Sequence, residues 1–350
     1  MDQGRKETDE KLGEIERKIR KEYKRAEQEL REKMNNYFIS FAEKDKRKKD
    51  QLLRGVITET EYKQWRLEQI IVGRRWQDMM NTVATDLLNA NKIAKSIANG
   101  YMPEVYSINM NWATYDIENR LEIDTNFTLY NREAIEKIIR EEPELLPPPG
   151  PQMQQKIASG KAVRWQKGQI QSVTTQAIIQ GESIPNMATR IAKDLCVSNR
   201  KSAIRYARTA TTGAENAGRM DSFHRMQGLG IKLKRTWVAV LDSRTRDAHR
   251  ELDGVTVGLD EPFVNSLGKI MFPGDETAAP GNFWNCRCGL ISQIAGFETD
   301  LTDMSLRNTS KMGGMSYEEW KSAHGKSQDI LNPDKVAKIM RERYARDYRK

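Results

Sequence analysis

Apolar and small residues recur along the first part of the chain with a spacing that predicts one long amphipathic helix. The steps between them follow an 11-residue repeat of three, four and four residues, which keeps an apolar stripe nearly straight along a helix. A helix with one apolar stripe cannot bury that stripe alone. We therefore expect it to pack against a later helix of the same chain or against another protein, including a second copy. The stripe consists of Leu12, Ile15, Ile19, Tyr23, Ala26, Leu30, Met34, Tyr37 and Phe41.

The apolar pattern restarts after Gly55. Thr58 and Glu61 have the spacing of a capping box, in which each side chain bonds the other residue's backbone N–H at the start of a helix. Apolar positions continue as far as Leu88 and predict a second long helix, which ends at Asn99-Gly100. This helix is expected to run back along the first as a hairpin.

A proline-rich segment interrupts the helical pattern near the middle of the chain. Before it, residues 101–131 have a mixed pattern that contains Pro103, and residues 132–142 predict a short helix. Proline removes a backbone donor and blocks helix continuation. We therefore interpret residues 143–151 as a semi-rigid hinge.

Helical patterns resume after the hinge, over residues 153–180, from Ser183 onward and over residues 199–226, and they end at Gly228 and Gly230. The last helix contains the small-residue stretch TATTGAENAG. Small side chains on a helix allow a neighbouring element to approach closely.

A strand pattern first appears in IKLKRTWVAVLD, beginning at Ile231. The fold is therefore predicted to be mainly α, with long N-terminal helices and a small C-terminal α+β domain whose core contains Trp237, Phe263 and Trp284. In chain order, the predicted segments are a long charged helix (1–56), a helical region (57–142), the hinge (143–151), a second helical region (152–230), the α+β core (231–295) and a tail with a basic helix (296–350).

Composition narrows the class of protein. Hydrophobic residues make up 38% of the chain and charged residues 31%, so much of the helical surface is solvated. The chain has no run of 18 apolar residues and its first residues have no apolar signal-peptide core, so neither a membrane span nor secretion is expected. Three cysteines in 350 residues predict a protein that folds in a reducing cytoplasm rather than a disulfide scaffold.

Two of the three cysteines, Cys286 and Cys288, lie one residue apart in the motif NCRC. On a strand they face the same side. Together with His249 they offer three zinc ligands, and Asp242 is a candidate for the fourth. Three alternatives remain open for the cysteines: two thiols packed in the core, a strained disulfide, or a Cys–His nucleophile.

Acidic residues surround His249 in the sequence LDSRTRDAHRELDG, which predicts a short helix bounded by Asp242 and Asp253. Acidic side chains and a histidine around a metal ion can hydrolyse nucleic acid. The alternative is that Asp247 and Glu251 are solvated charges on a short helix, and we favour this alternative on composition.

The motifs TWVAVLDSRTRDAHRELDG, LDEPF, FPGD and NCRC, in this order, resemble the phage Mu F-like domain of the phage head morphogenesis, or minor head protein, family. The upstream sequences QGESIPNMATRIAKDL and ARTATTGAENAGR also resemble the helical region that precedes this domain. The resemblance covers residues 154–293.

This resemblance implies a minor capsid protein of a tailed phage or prophage, located in the virion and assembled in the host cytoplasm. It implies the portal protein, the major capsid protein or both as partners. No complete catalytic constellation is found in the sequence, so no enzymatic activity is expected. The alternative function is a metal-dependent nucleic-acid hydrolase or a DNA-binding protein packaged with the genome.

The predicted C-terminal helix, residues 334–350, carries seven basic and three acidic residues. Such an excess can contact phage DNA or an acidic protein surface, and a solvated tail is the alternative. The candidate contact residues are Lys335, Lys338, Arg341, Arg343 and Arg346.

Overall fold

A computed structural model describes residues 2–125, 127, 129, 160–294 and 315–324. The helix predicted over residues 132–142, the hinge over 143–151 and the basic helix over 334–350 lie outside the described residues. The chain divides into two compact units. The helical unit comprises Arg17–Lys95 and Pro151–Ile204, and the mixed unit comprises Met1–Glu16, Ser96–Gly150 and Arg205–Lys350.

Long helices make up most of the described chain, as predicted. They are α1 (Gln3–Ile39), α2 (Ala42–Leu53), α3 (Glu59–Ile70), α4 (Arg74–Leu121), α5 (Gly160–Ile179) and α6 (Ile184–Gly228). The capping box at the start of α3 is confirmed, because the Thr58 side chain accepts from the Glu61 N–H and the Glu61 carboxylate accepts from the Thr58 N–H. None of the described helices is long and apolar enough to cross a membrane.

The N-terminal stripe is buried against α4 within the helical unit. Tyr23 donates a hydrogen bond to Asn91, and the rings of Tyr37 and Trp76 lie 5.8 Å apart. Of the two partners expected for the stripe, the structure has the later helix of the same chain. The predicted single helix is divided into α1 and α2. The stripe residues buried in this unit are Ile19, Tyr23, Ala26, Leu30, Met34 and Tyr37.

The prediction that a helix ends at Asn99-Gly100 was wrong. Helix α4 continues through Gly100 and Pro103 to Leu121. Interior glycine and proline cost a helix about 1 and 3 kcal/mol, whereas each large apolar side chain that is buried contributes about 1.5–3 kcal/mol. Burial therefore outweighs the local preference, since the residues around Pro103 are all buried: Tyr101, Met102, Val105 and Tyr106.

Two further helix boundaries also differ from prediction. The second predicted helix is interrupted between α3 and α4, where Gly73 has φ +86°. Conversely, the helix from Ser183 and the helix over residues 199–226 form the single helix α6. Its inward face stays buried across the join, at Leu195, Cys196 and Asn199.

The mixed unit contains a three-stranded antiparallel sheet of order β2-β1-β5, formed by β1 (Leu233–Val238), β2 (Thr256–Gly258) and β5 (Gly289–Ile294). The predicted strand after Ile231 is confirmed as β1. Residues 262–281, rich in proline and glycine, are predicted from the sequence to form a long loop, but a hairpin of β3 (Phe263–Asn265) and β4 (Gly268–Ile270) lies within them. The short helices are α7 (Asp247–Arg250), α8 (Pro280–Phe283) and α9 (Tyr317–His324).

The core of the mixed unit forms between α6, the sheet and the hairpin. Trp237 and Phe263 are fully buried there, with ring centroids 5.2 Å apart. Trp284, which was predicted to join them, is only partly buried. The preceding Phe283 is buried instead, and Trp284 lies under the guanidinium of Arg205 at 5.6 Å.

The small-residue stretch of α6 permits two close approaches inside the mixed unit. A Cβ atom on Gly218 would lie 2.3 Å from the backbone oxygen of Tyr106 on α4. A Cβ atom on Gly274, which has φ +86°, would lie 2.5 Å from the backbone nitrogen of Gly213. Backbone therefore packs directly on α6, as the sequence suggested.

Candidate metal centre

A histidine and two cysteines converge in the interior of the mixed unit. The sulphur of Cys288 lies 3.4 Å from Nδ1 of His249, and the sulphur of Cys286 lies 3.6 Å from the same atom. The three potential ligand atoms lie within 4.8 Å of one another, and all three residues are only 2% exposed. The structure thus brings together three of the four residues that the sequence suggested as metal ligands.

The imidazole of His249 is oriented by a backbone carbonyl. Its Nε2 atom lies 2.8 Å from the carbonyl oxygen of Asn282. A carbonyl can only accept, so Nε2 carries the proton and Nδ1 directs its lone pair at the sulphurs. Metal-binding histidines have this arrangement, in which the outer N–H donates to an oxygen acceptor. The Trp237 ring packs edge-on against the imidazole, with centroids 5.5 Å apart.

The two cysteines lie on an extended segment that leads into β5. Buried Cys286 and Cys288 flank the partly buried Arg287, so the alternation expected of extended backbone places both sulphurs on the inner side. The backbone N–H of Cys288 lies 3.4 Å from the sulphur of Cys286. Both residues are free cysteines, so the disulfide alternative does not apply to this structure.

Helix α6 fixes this segment through side chains that the sequence analysis missed. Thr212 donates from its hydroxyl to the Cys286 carbonyl at 2.8 Å. Asn216 donates to the Cys288 carbonyl at 3.3 Å and accepts from the Leu290 N–H at 2.9 Å. The available signal was their spacing of four residues within a stretch of alanine and glycine, where polar side chains on a buried face need partners.

Arg246 connects the loop before the cysteines to the segment that carries His249 through hydrogen bonds. It donates to the Gly281 carbonyl at 2.6 Å and also to the Trp284 carbonyl. Together with the bond from His249 to Asn282, these contacts hold the end of the loop against the segment that carries His249.

Asp242 is not part of the converging group. It lies in a turn before α7, and the predicted helix is confined to Asp247–Arg250. Its carboxylate accepts from Arg287 at 2.6 and 2.7 Å. These charge-assisted bonds hold the pKa of Asp242 well below its usual range. The expected role of Asp242 as a fourth ligand is therefore replaced by an ion pair with the residue between the cysteines.

The two thiols differ in acidity because they interact with each other inside the core. Burial raises the pKa of Cys286 well above its ordinary value. The hydrogen bond that Cys288 accepts from the Cys286 thiol lowers the pKa of Cys288, and His249 adds to this effect. Neither sulphur is accessible to a substrate, which argues against the nucleophile alternative.

The acidic residues around His249 do not form a catalytic cluster. Asp253 accepts from the Ala239 N–H at 2.8 Å, and Glu251 accepts from the Ser266 N–H at 3.1 Å. The Asp247 side chain is almost fully exposed. In the described part of the chain, the group of histidine, cysteine and acidic residues that could hold a metal is His249, Cys286 and Cys288.

A buried network of charges adjoins the cysteine segment, and the sequence analysis did not identify it. Arg5 lies 2.5 Å from the Glu215 carboxylate and donates to the Arg287 carbonyl at 3.2 Å. Arg219 donates to both oxygens of Asp2, at 2.9 and 3.0 Å. The first turn of α1 is thus bound to the same face of α6 that holds the cysteines.

These features define a protein with a small α+β region docked on a long helix. Comparison with known families shows which proteins resemble it. Residues 168–291 match the family described as Phage Mu protein F like protein. Over this segment the chain is similar to the Mu F-like family, and it is also similar to a phage minor head protein. The match contains all of β1–β4 and α6–α8, and therefore the whole candidate metal centre.

Three relatives show the extent of the similarity. The chain is 35% identical over 122 residues to Minor head protein GP7 of Bacillus phage SPP1, covering 35% of this chain and 39% of that protein. It is 27% identical over 241 residues to the NAD(+)–arginine ADP-ribosyltransferase EFV of Enterococcus faecalis, covering 67% and 46%. It is 29% identical over 196 residues to an uncharacterized protein of Haemophilus influenzae, covering 56% and 38%.

The chain thus spans less than half of the length of each of these curated relatives. No solved structure matches the chain significantly.

Proposed function

We propose that this protein is a minor component of the head of a tailed phage or prophage, where it assists head assembly and associates with the portal protein or the inner face of the capsid. The observation that carries the proposal is the match of residues 168–291 to the Phage Mu protein F like family, joined by the 35% identity to a minor head protein. The protein acts in the virion after assembly in the host cytoplasm.

The contacts of the motif residues support a structural role. The polar side chains of LDSRTRDAHRELDG hold backbone together rather than lining an open cleft. Arg246 binds two carbonyls of the loop before the cysteines, Asp253 binds the backbone after β1, and Glu251 binds the β3–β4 turn. A motif used in this way maintains a rigid module, which suits a protein that docks in a larger assembly.

Incorporation into heads tests the proposal. The protein is produced together with the major capsid, scaffolding and portal proteins of the phage or prophage that encodes it, and heads are isolated by gradient sedimentation and quantified by mass spectrometry. We expect a low and reproducible copy number. Leaving out the portal gene separates the two sites: loss of the protein identifies attachment to the portal, and retention identifies the inner capsid. Heads that never contain the protein would contradict the proposal.

The alternative is an enzyme. One relative is named an ADP-ribosyltransferase, and the match covers 67% of this chain but 46% of that protein. More than half of that relative therefore lies outside the similarity, and we propose that this chain has no such activity. Incubation with labelled NAD+ and an arginine-containing acceptor should transfer no label, and incubation with DNA or RNA and divalent metal ions should give no cleavage. Activity that depends on His249 would support the enzyme instead.

A further inference from the structure

We propose that Cys286, Cys288 and His249 bind one zinc ion, which joins the extended cysteine segment to α7 and stabilises the mixed unit. The proposal rests on the geometry of the described residues and does not depend on the head function. It is a structural role, because Cys286 and Cys288 belong to the core cluster that contains Trp237 and Phe263, and the buried His249 packs against Trp237.

The distances fit tetrahedral coordination. Zinc–thiolate bonds of about 2.3 Å and zinc–imidazole bonds of about 2.0–2.1 Å at a tetrahedral angle separate sulphur from nitrogen by about 3.5 Å. The two sulphurs lie 3.4 and 3.6 Å from Nδ1. One ion placed between these atoms would be within reach of all three, since they lie within 4.8 Å of one another.

One imidazole nitrogen faces both sulphurs, which suits a shared cation. His249 Nδ1 has one lone pair, because Nε2 carries the proton that is donated to the Asn282 carbonyl. The two sulphurs lie 3.4 and 3.6 Å from this nitrogen. A cation bound to the lone pair would therefore also be within reach of both sulphurs.

Donor groups around the sulphurs are also those that a thiolate requires. The Cys288 N–H points at the Cys286 sulphur at 3.4 Å. The indole N–H of Trp237 is buried without a hydrogen-bond partner among the described residues, and its ring packs against His249. N–H groups directed at ligand sulphurs orient and stabilise them.

The charges also balance. Two thiolates and a neutral imidazole around Zn²⁺ form a neutral complex, which a buried apolar core tolerates far better than an isolated charge. Binding breaks two S–H bonds, forms two Zn–S bonds and one Zn–N bond, and releases two protons to solvent. In sites with three protein ligands the fourth position of zinc is occupied by water.

The test begins with the metal content of the full-length chain, purified without chelators and measured for zinc and for copper, since both metals favour thiolates. We expect about one zinc per chain. Cys286→Ser, Cys288→Ser and His249→Gln should each lose the metal. Cys196→Ser is the matched control: Cys196 is a buried thiol of the helical unit, burial raises its pKa to about 12, and its replacement should leave the zinc content unchanged.

Because a variant could lack metal simply by failing to fold, the wild-type chain is also refolded with Co²⁺. A thiolate-to-cobalt charge-transfer band, displaced by added zinc, is expected, and a strong chelator should lower the melting temperature of the wild type but not of Cys286→Ser. A wild-type chain that refolds in excess zinc yet holds no more metal than the buffer, and that is indifferent to chelator, would overturn the proposal. One copper per chain in place of zinc would overturn the identity of the metal.

Discussion

Gly218 shows how strictly a single position on α6 is constrained. A Cβ atom there would lie 2.3 Å from the Tyr106 oxygen and 3.2 Å from the Met110 nitrogen. Both are backbone atoms, so α4 itself would have to move. We expect Gly218→Ala to lower the free energy of unfolding by about 1–3 kcal/mol, the usual cost of overpacking. Thermal and urea denaturation of the full chain would measure the change.

Gly168 supplies the matched control for this substitution. It lies within α5, and a Cβ atom on it would meet no atom within 4 Å. Gly168→Ala should therefore stabilise the protein by about 0.5–1 kcal/mol, because alanine has the better helix propensity. Equal stability of the two variants would show that α4 and α6 are not in backbone contact.

The ion pair between Asp242 and Arg287 predicts a dependence on pH. Arg287 lowers the pKa of Asp242 below its ordinary 3.8, so the folded state favours the ionised carboxylate. The resulting stabilisation is present above 3.8 and is lost as the pH falls through the lowered value. Asp242→Asn should be less stable than the wild type at neutral pH, and the difference in melting temperature should shrink on acidification.

The same variant separates Asp242 from the metal site. Asp242→Asn should keep the zinc content of the wild type, since its carboxylate is bound by Arg287 at 2.6 and 2.7 Å. A loss of zinc in this variant would restore Asp242 as a ligand.

Part of the candidate metal site could be predicted from the sequence. Cys286, Cys288 and His249 could be selected because they are rare, chemically distinctive residues within one motif block. Asp242 could not be excluded, because its ion pair with Arg287 depends on a turn that the pattern read as helix. Thr212 and Asn216 were missed because their partners are backbone carbonyls about 70 residues away, and backbone partners leave no trace in a sequence.

Among the elements, α1 gives the clearest test of the apolar repeat. Ile19 and Leu30 are fully buried, and truncating one such side chain typically costs about 2–5 kcal/mol. We expect Ile19→Asp combined with Leu30→Asp to unfold the helical unit, because an unpaired carboxylate is added to each cavity. Circular dichroism would show lost helicity, and heads would lack the variant.

The opposite face of α1 provides the control. Lys24 and Gln28 are exposed, so Lys24→Asp combined with Gln28→Asp should retain the helicity and stability of the wild type. A folded stripe variant that is excluded from heads would instead identify the stripe as an assembly surface.

Periodicity predicted which helices exist better than it predicted where they end. The stripe of α1 and the strand β1 were identified because both are regular over many residues. The end of α4 was misplaced because Gly100 and Pro103 are local stop signals that the burial of neighbouring residues outweighs. The β3–β4 hairpin was missed because strands of three residues are too short to establish an alternation.

For the molecule as a whole, the basic segment at residues 334–350 carries the remaining prediction. Its seven basic and three acidic residues should strengthen retention of DNA, and each phosphate neutralised contributes about −0.9 to the slope of log affinity against log salt. Deleting these residues should make that slope less negative, by about 0.9 for each phosphate contact that is lost. Identical retention across the salt series would assign the segment to a protein partner or to solvent.

The resemblance to this family could be predicted from the sequence because four short motifs occur in a fixed order, and comparison confirms the resemblance over residues 168–291. The division into two units could not be predicted from the sequence. Each unit is assembled from segments far apart in the chain, whereas the sequence reading divided the chain into consecutive stretches. Long helices that contribute to both units have no change of composition at the point of division.

The bond between Asp2 and Arg219 joins residues 217 positions apart, which has a consequence for the order of folding. Closing a loop of this length loses chain entropy that grows slowly with length, and contacts between distant residues slow folding. During synthesis, Asp2 and Arg5 cannot form these contacts until most of α6 has left the ribosome, because their partners Arg219 and Glu215 lie on that helix.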